Sequence, residues 1–301
     1  MTGISTFSPE SAPTASSRSR SSSYPYGVQS LETQWDGSTS PMTRDGHPNA
    51  PTAAATHQNT HATISFSTSP ERDFPTSDGV YPPQDDSRLL VDTMRATGIV
   101  PGRHVLDLCT GSGFIAIAAA ELGAASVTAF DICPRAVRCS RGNAMHAGVA
   151  IDVREGSWIS ALDCAPFEVI VSNPPYVPTP PATDAHLIPP TAGPALAWNA
   201  GADGRMVLDP LCELASGLLA DGGSMLVVQS TFSGIEQSLE SLRSTGLNAK
   251  IVASQWVPFG PVLSARASWL EDTGRLERGC RSEELVVIRA DKPRRTECTS
   301  K

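Results

Sequence analysis

A chain of 301 residues carries 23 Lys and Arg against 31 Asp and Glu, a formal net charge of −8. That balance argues against tight, sequence-independent binding to a nucleic-acid backbone. No apolar run is long enough to cross a bilayer, no charged-then-apolar leader is present, and the length permits one large domain with a full core.

Residues 1–60 are dominated by Ser, Thr, Pro, Ala, Gly and Asn, too poor in large aliphatics to offset the entropy of ordering. They are expected to form a disordered tail. An ordered domain is expected over 61–291 and a frayed end over 292–301. Alternation at Ile64-Ser65-Phe66-Ser67 predicts a short edge strand. Then Tyr81-Pro82-Pro83-Gln84-Asp85-Asp86-Ser87 leads into Leu89, Leu90, Val91 and Met94, spaced as one helix face, with Asp86 or Ser87 as the expected N-cap. The seven cysteines at 109, 133, 139, 164, 212, 280 and 298 show no Cys-x-x-Cys spacing and no neighbouring His pair. They read as reduced, mostly buried thiols of a cytoplasmic protein, and suggest no metal site.

The run His104-Val105-Leu106-Asp107-Leu108 reads as a buried strand, followed by Cys109-Thr110-Gly111-Ser112-Gly113 and an Ala-rich helix over 114–122. Glycines at a strand-to-helix turn let a ligand approach the backbone and leave a helix N-terminus open. The spacing lacks the lysine of a phosphate-cradling loop. A second strand over 125–130 ends in Asp131, where an acid in a nucleotide-type fold hydrogen-bonds a ribose diol. Capping of the helix over 134–147 is the plain alternative for Asp131, and both ends of the carboxylate can be used. A third strand over 151–154 precedes Gly156-Ser157-Trp158-Ile159. Such alternation with right-handed crossovers makes a doubly wound parallel sheet with its ligands beyond the carboxyl ends of the strands.

The strand over 167–172 then stops at Asn173-Pro174-Pro175-Tyr176. Two prolines fix the backbone and remove its donors, so the corner offers acceptors, the Asn173 amide oxygen and the Pro174 carbonyl. A planar NH2 group fits there, with the Tyr176 ring as a flat face for stacking. A Pro-rich strand cap is the plain alternative. Residues 177–204 form a Pro-rich insertion longer than an ordinary connection. Helices over 206–219 and 233–244 and strands over 223–229 and 249–256 follow. A second insertion over 257–280 contains Arg266, Trp269 and Arg275, and a last strand is expected over 284–289.

These motifs resemble class I S-adenosylmethionine-dependent methyltransferases, and within them the HemK/PrmC protein-glutamine methyltransferases. The resemblance rests on Asp107 to Gly113, Asp131-Ile132-Cys133-Pro134, Gly156-Ser157-Trp158 and Asn173-Pro174-Pro175-Tyr176-Val177-Pro178. It runs from about residue 81 to 288. It implies a mostly parallel seven-stranded α/β sheet with an antiparallel last strand and S-adenosylmethionine as cofactor. In the cofactor's site, Asp107, Cys109, Thr110, Gly111, Ser112 and Gly113 would hold the methionine moiety, Asp131 the ribose, and Ser157 and Trp158 the adenine, with Ile132 also against the cofactor. Asn173 would border the cofactor and, with Pro174, Pro175 and Tyr176, hold a substrate amide. Two positions depart from the family: Cys109 stands where a third glycine is common, and Ser157 where an aspartate often meets the adenine amino group. Residues 81–90 and the run Trp198 to Arg205 are most similar to the compact branch of release-factor methyltransferases, which implies a protein substrate and a small activating subunit. The alternatives are methylation of a base amino group on nucleic acid, of a small molecule, or a non-catalytic scaffold. The acidic balance weighs against the first and the intact motif set against the last.

Overall fold

A computed structural model describes residues 79–181 and 188–295. The expected tail over 1–60, the strand expected at 64–67 and residues from 296 on, Cys298 among them, lie outside the described residues.

The chain enters through helix α1, Asp85–Thr97, whose N-cap is Gln84 and whose end is the left-handed Gly98. The expected cap residues Asp86 and Ser87 instead lie inside the first turn and are buried. Asp86 does take the Ser87 amide of its own helix, but both side chains also reach tertiary partners, Tyr176 and Asn173. Leu89, Leu90 and Met94 are fully buried, each contributing about 1.5–3 kcal/mol of apolar transfer. They seat α1 against the sheet and the second helix.

Seven strands form one sheet in the order β3-β2-β1-β4-β5-β7-β6. They are β1 (His104–Leu108), β2 (Ser126–Asp131), β3 (Asp152–Glu155), β4 (Phe167–Ser172), β5 (Leu219–Ser230), β6 (Asn248–Pro258) and β7 (Ser282–Asp291). The pairs β1·β2, β2·β3, β1·β4 and β4·β5 are parallel, and β7 inserts antiparallel between β5 and β6. Chain-order winding therefore runs from β1 outward to β3, returns to β4 beside β1, and runs outward the other way. Right-handed crossovers then place helices α2 (Phe114–Glu121) and α3 (Pro134–Ala147) on one face. The opposite face takes α4 (Trp158–Leu162), α5 (Leu208–Leu218) and α6 (Ile235–Ser244). Val105, Leu106, Ile170, Val171, Met225 to Val228 and Val287 to Ile288 have essentially no exposed surface, as expected of strands covered on both sides.

Three elements differ locally from the sequence expectation. A short helix, α4, begins at Trp158 with Ser157 as its N-cap. β5 begins at Leu219, because a bulge at Phe167/Val169 lets the Asp221-Gly222-Gly223 turn ride inside the ladder. The second insertion contains helix α7, Pro261–Asp272, started by Pro261 at its first position. Lys292, one residue into the expected loose end, donates its Nζ to the Ser216 and Leu219 carbonyls at 2.8 and 2.7 Å. Of the six described cysteines, all free, Cys212 alone is fully buried, so the thiols are less buried than expected.

The two insertions pack on each other rather than hanging loose. Arg266 of α7, 4 % exposed, donates Nη1 to the Pro178 carbonyl at 2.7 Å and Nη2 to Asn199 Oδ1. Its guanidinium lies 4.7 Å from the centre of the Trp198 ring, a cation–π contact worth about 2 kcal/mol when desolvated.

Candidate active site

The site is assembled from four neighbouring strand ends, because the register sets Leu108 against both Phe130 and Ser172, and Asp131 against Glu155. The residues that follow β1, β2, β3 and β4 therefore share one edge, at the point where the winding reverses. This is where open α/β sheets hold ligands.

After β1, Cys109 adopts a left-handed φ of 62°, the conformation that favours glycine and costs a side-chain-bearing residue about 1–2 kcal/mol. The turn is braced from behind by α3. Asn143 donates Nδ2 to the Ser112 carbonyl at 2.8 Å, and a Cβ on Gly113 would fall 2.4 Å from Ser140 Oγ, so glycine is required for that close approach. At Gly111 the equivalent Cβ meets nothing within 4 Å, which marks this as the open side. Thr110 Oγ1 donates to Asp107 Oδ2 at 2.6 Å, while the other oxygen, Oδ1, is buried without a partner. Burial foremost lifts the Asp107 carboxyl to about 7, the Thr110 bond and the nearby Ala116 amide opposing and the Asp131 charge assisting. An acceptor with no well-formed bond among the described residues, beneath an open glycine turn, is a fit for a cationic ligand group.

Asp131 serves two amides at once: Oδ2 accepts from Gly111 N–H at 2.8 Å and Oδ1 from Cys133 N–H at 2.9 Å. It thus ties the β1 turn to the start of α3, so the ligand and capping alternatives are not exclusive. Each oxygen retains a second lone pair. Burial raises its carboxyl pKa and the two amide bonds lower it. Ile132 beside it is 53 % exposed, an apolar side chain held in the open. Ser157 Oγ accepts from Ile159 N–H at 3.3 Å, occupied as a cap, and Trp158 is half-buried against the core.

After β4, the corner is wired to α1. Asn173 donates Nδ2 to Ser87 Oγ at 3.1 Å, and Ser87 Oγ donates its proton to Asp86 Oδ1 at 3.2 Å. Because Asp86 takes the hydroxyl proton, Ser87 has only lone pairs to offer Asn173, so the amide must present nitrogen there. Its Oδ1 is turned the other way, away from α1, as an acceptor of fixed direction. Tyr176 completes the loop by donating its hydroxyl to Asp86 Oδ2 at 3.0 Å. Its ring is 8 % exposed and belongs to the core, so it braces the corner rather than offering a free face for stacking. Gly204, in the run Trp198 to Arg205, backs the same loop, since a Cβ there would sit 2.4 Å from the Tyr176 carbonyl oxygen. Arg205 then anchors that run with a 2.6 Å ion pair to Asp209 and a 2.8 Å bond to the Gly234 carbonyl.

Local pattern makes Asp86 or Ser87 a helix cap and does not reveal that both brace the Asn173 corner. The available signal was two polar residues in phase with Leu90, Val91 and Met94 on an otherwise apolar face. Among the described residues, no three His, Cys, Asp or Glu side chains are grouped to hold a metal ion, and no helix is long and apolar enough to cross a membrane.

The winding, the glycine turn after β1 and the acid after β2 define a class I methyltransferase fold. A family model described as a methyltransferase small domain matches residues 73–187. A Methanocaldococcus jannaschii protein, provisionally named a protein N5-glutamine methyltransferase, is 32 % identical over 190 residues, covering 62 % of this chain and 91 % of that protein. The release factor glutamine methyltransferase of Salmonella typhimurium is 32 % identical over 191 residues, with 58 % and 68 % covered. That of Deinococcus radiodurans is 38 % identical over 150 residues, and the match spans only 52 % of its length. Among solved structures, the E. cuniculi Mtq2–Trm112 complex, described as responsible for methylating the eRF1 termination factor, gives a TM-score of 0.47 at 21 % identity, covering 71 % of this chain and 99 % of that one. The chain belongs to the HemK/PrmC family of protein-glutamine methyltransferases.

Proposed function

We propose that the protein transfers a methyl group from S-adenosylmethionine to the side-chain amide nitrogen of a glutamine in a protein, with a translation release factor as the acceptor. The observation that carries this reading is the Asn173 amide, held with nitrogen toward Ser87 and oxygen toward the corner. Names of the Salmonella and Deinococcus relatives support the release-factor assignment.

Bound cofactor supplies an activated sulfonium methyl. The rest of the work belongs to the chain. Asp107, Thr110, Gly111, Ser112 and Gly113, with Cys109 shaping the turn, would hold the cofactor's amino-acid end, where the orphan Asp107 oxygen answers its ammonium. Asp131 would accept from the ribose hydroxyls, with Ile132 and Trp158 as apolar walls for the base and Ser157 fixing α4 between them. A carboxamide nitrogen is a poor nucleophile because its lone pair is delocalised, so orientation is the main lever. Asn173 Oδ1 and the Pro174 carbonyl would each accept one N–H, aim the nitrogen, and stabilise the positive charge that develops on it. Pro175 and Tyr176 hold that geometry, and the proton leaves to water after transfer. A small activating subunit and action in the cytoplasm belong to the same proposal.

The test is methyl-³H transfer measured side by side on a release factor, its Gln→Ala variant, RNA and small amides. Label on the release factor that disappears in the Gln→Ala variant supports the reading. Label on RNA or on free amides alone overturns it.

A further inference from the structure

Tyr176 forms part of the wall of an open cleft that Asn173 does not line. Its lining includes Tyr81, Asp86, Tyr176, Trp198, Val262 and Glu283, together with Asp85, and, among the described residues, no Lys, Arg or His. Three carboxylates therefore face a space that no described cation lines. Asp85 is exposed and lies 3.6 Å from Arg88. Asp86 is occupied by Ser87 and Tyr176. Glu283, at the start of β7, is different: it is 7 % exposed, and its Oε2 has no hydrogen-bond partner among the described residues.

A buried carboxylate with an unanswered oxygen is costly unless something pairs with it. Burial first, then the Asp86 and Asp85 charges, lift its carboxyl to about 7, with Ser230 opposing. A cation in the cleft would favour the ionised form and supply the missing donor. The phenols of Tyr81 and Tyr176, their pKa values raised well above the ordinary by burial foremost and by Asp86, remain neutral. The Trp198 ring already carries Arg266, so the acids rather than that ring provide the attraction.

We infer that this cleft is a specificity subsite for a cationic side chain, a lysine or arginine of the protein substrate lying close to the methylated glutamine. The inference rests on the reading that the acceptor is a protein glutamine. The cation is not itself the methyl acceptor, because an ammonium held against carboxylates has no lone pair to offer. The cleft also lies beside the Asn173 corner rather than in it: Asp86 touches Tyr176, while its neighbour Ser87 touches Asn173.

The test uses the full chain saturated with S-adenosylhomocysteine and short fluorescent glutamine peptides that carry lysine, norleucine or glutamate at each flanking position in turn. At one or two positions lysine is expected to bind about tenfold more tightly than norleucine, one charge-assisted hydrogen bond, and glutamate more weakly than norleucine. In Glu283→Gln the lysine-to-norleucine ratio is expected to fall to near one, read within the variant so that a general loss of affinity cancels. The glutamate arm on the parent protein needs no variant to fold. No position with a lysine preference, or a preference intact in Glu283→Gln, overturns the subsite. Methyl transfer with S-adenosylmethionine is scored separately: lysine-dependent binding with no transfer to any glutamine supports the cation subsite and overturns the acceptor assignment.

Discussion

Replacing Ser87 by alanine tests whether α1 acts on the chemistry through Asn173. The hydroxyl makes two contacts, accepting from Asn173 Nδ2 at 3.1 Å and donating to Asp86 at 3.2 Å. Asp86 keeps the Ser87 backbone N–H at 2.6 Å and the Tyr176 hydroxyl at 3.0 Å, so the acid is not stranded and the fold should survive. What is lost is one neutral hydrogen bond that sets which end of the Asn173 amide faces the corner, about 1 kcal/mol. That is roughly a fivefold fall in kcat. Asn173→Ala removes the acceptor itself and should cost ~2.7–4 kcal/mol, on the order of 100- to 1000-fold. The double variant should be no slower than Asn173→Ala, because a positioning residue has nothing left to position. The assay is methyl-³H transfer to the release factor with kcat and KM separated. If the two losses multiply in the double variant, Ser87 does not work through Asn173. If Asn173→Ala stays within a few-fold of the parent, the corner is only a strand cap and the glutamine-amide reading loses its physical support.

The Asp107 carboxyl is raised from 3.8 to about 7, so the folded state holds its proton more tightly than the unfolded chain. The stability from that group is full below the unfolded pKa and lost as pH rises through about 7. Asp107→Asn should flatten that slope and stabilise the cofactor-free protein above neutrality by up to about 4 kcal/mol, seen as urea midpoints followed across that range. A variant with the parent's slope refutes it. Asp131→Ala should weaken S-adenosylmethionine binding by ~1–3 kcal/mol in calorimetric titration, and unchanged affinity in a folded variant would sink the ribose assignment. Arg266→Ala unpairs the Pro178 carbonyl and removes one of two donors from Asn199 Oδ1, which keeps Thr179 Oγ1, and should lower unfolding stability by ~1–3 kcal/mol. A denaturation midpoint equal to the parent's would show that the two insertions hold without it.

Much of this architecture was legible before the structure, because it depends on short-range chemistry. Apolar runs of strand length separated by an Ala-rich helix, a glycine turn and an acid after the next strand fix the order β1, α2, β2 and the ends where ligands gather. Two prolines after the fourth strand fix a corner without donors. The family resemblance also marks Cys109 as standing where glycine is common, though only the fold gives it a φ of 62°.

What the tertiary structure decided is the pairing of residues far apart in the chain. Asp86 and Ser87 look like helix caps to any local reading, because Ser and Asp at a helix start usually serve the first amides. They serve the corner only because α1 is pressed onto the sheet by Leu89, Leu90 and Met94, which carries them to Asn173 and Tyr176, 86 and 90 residues away. Glu283 falls just outside the strand expected over 284–289, and only the antiparallel place of β7 between β5 and β6 buries its carboxylate near Asp86. Arg266 and Trp198 could each be singled out in the sequence, but not joined, since two long insertions carry no periodicity that says how they meet. Periodicity reports which face a residue is on, and only long-range packing reports what lies opposite.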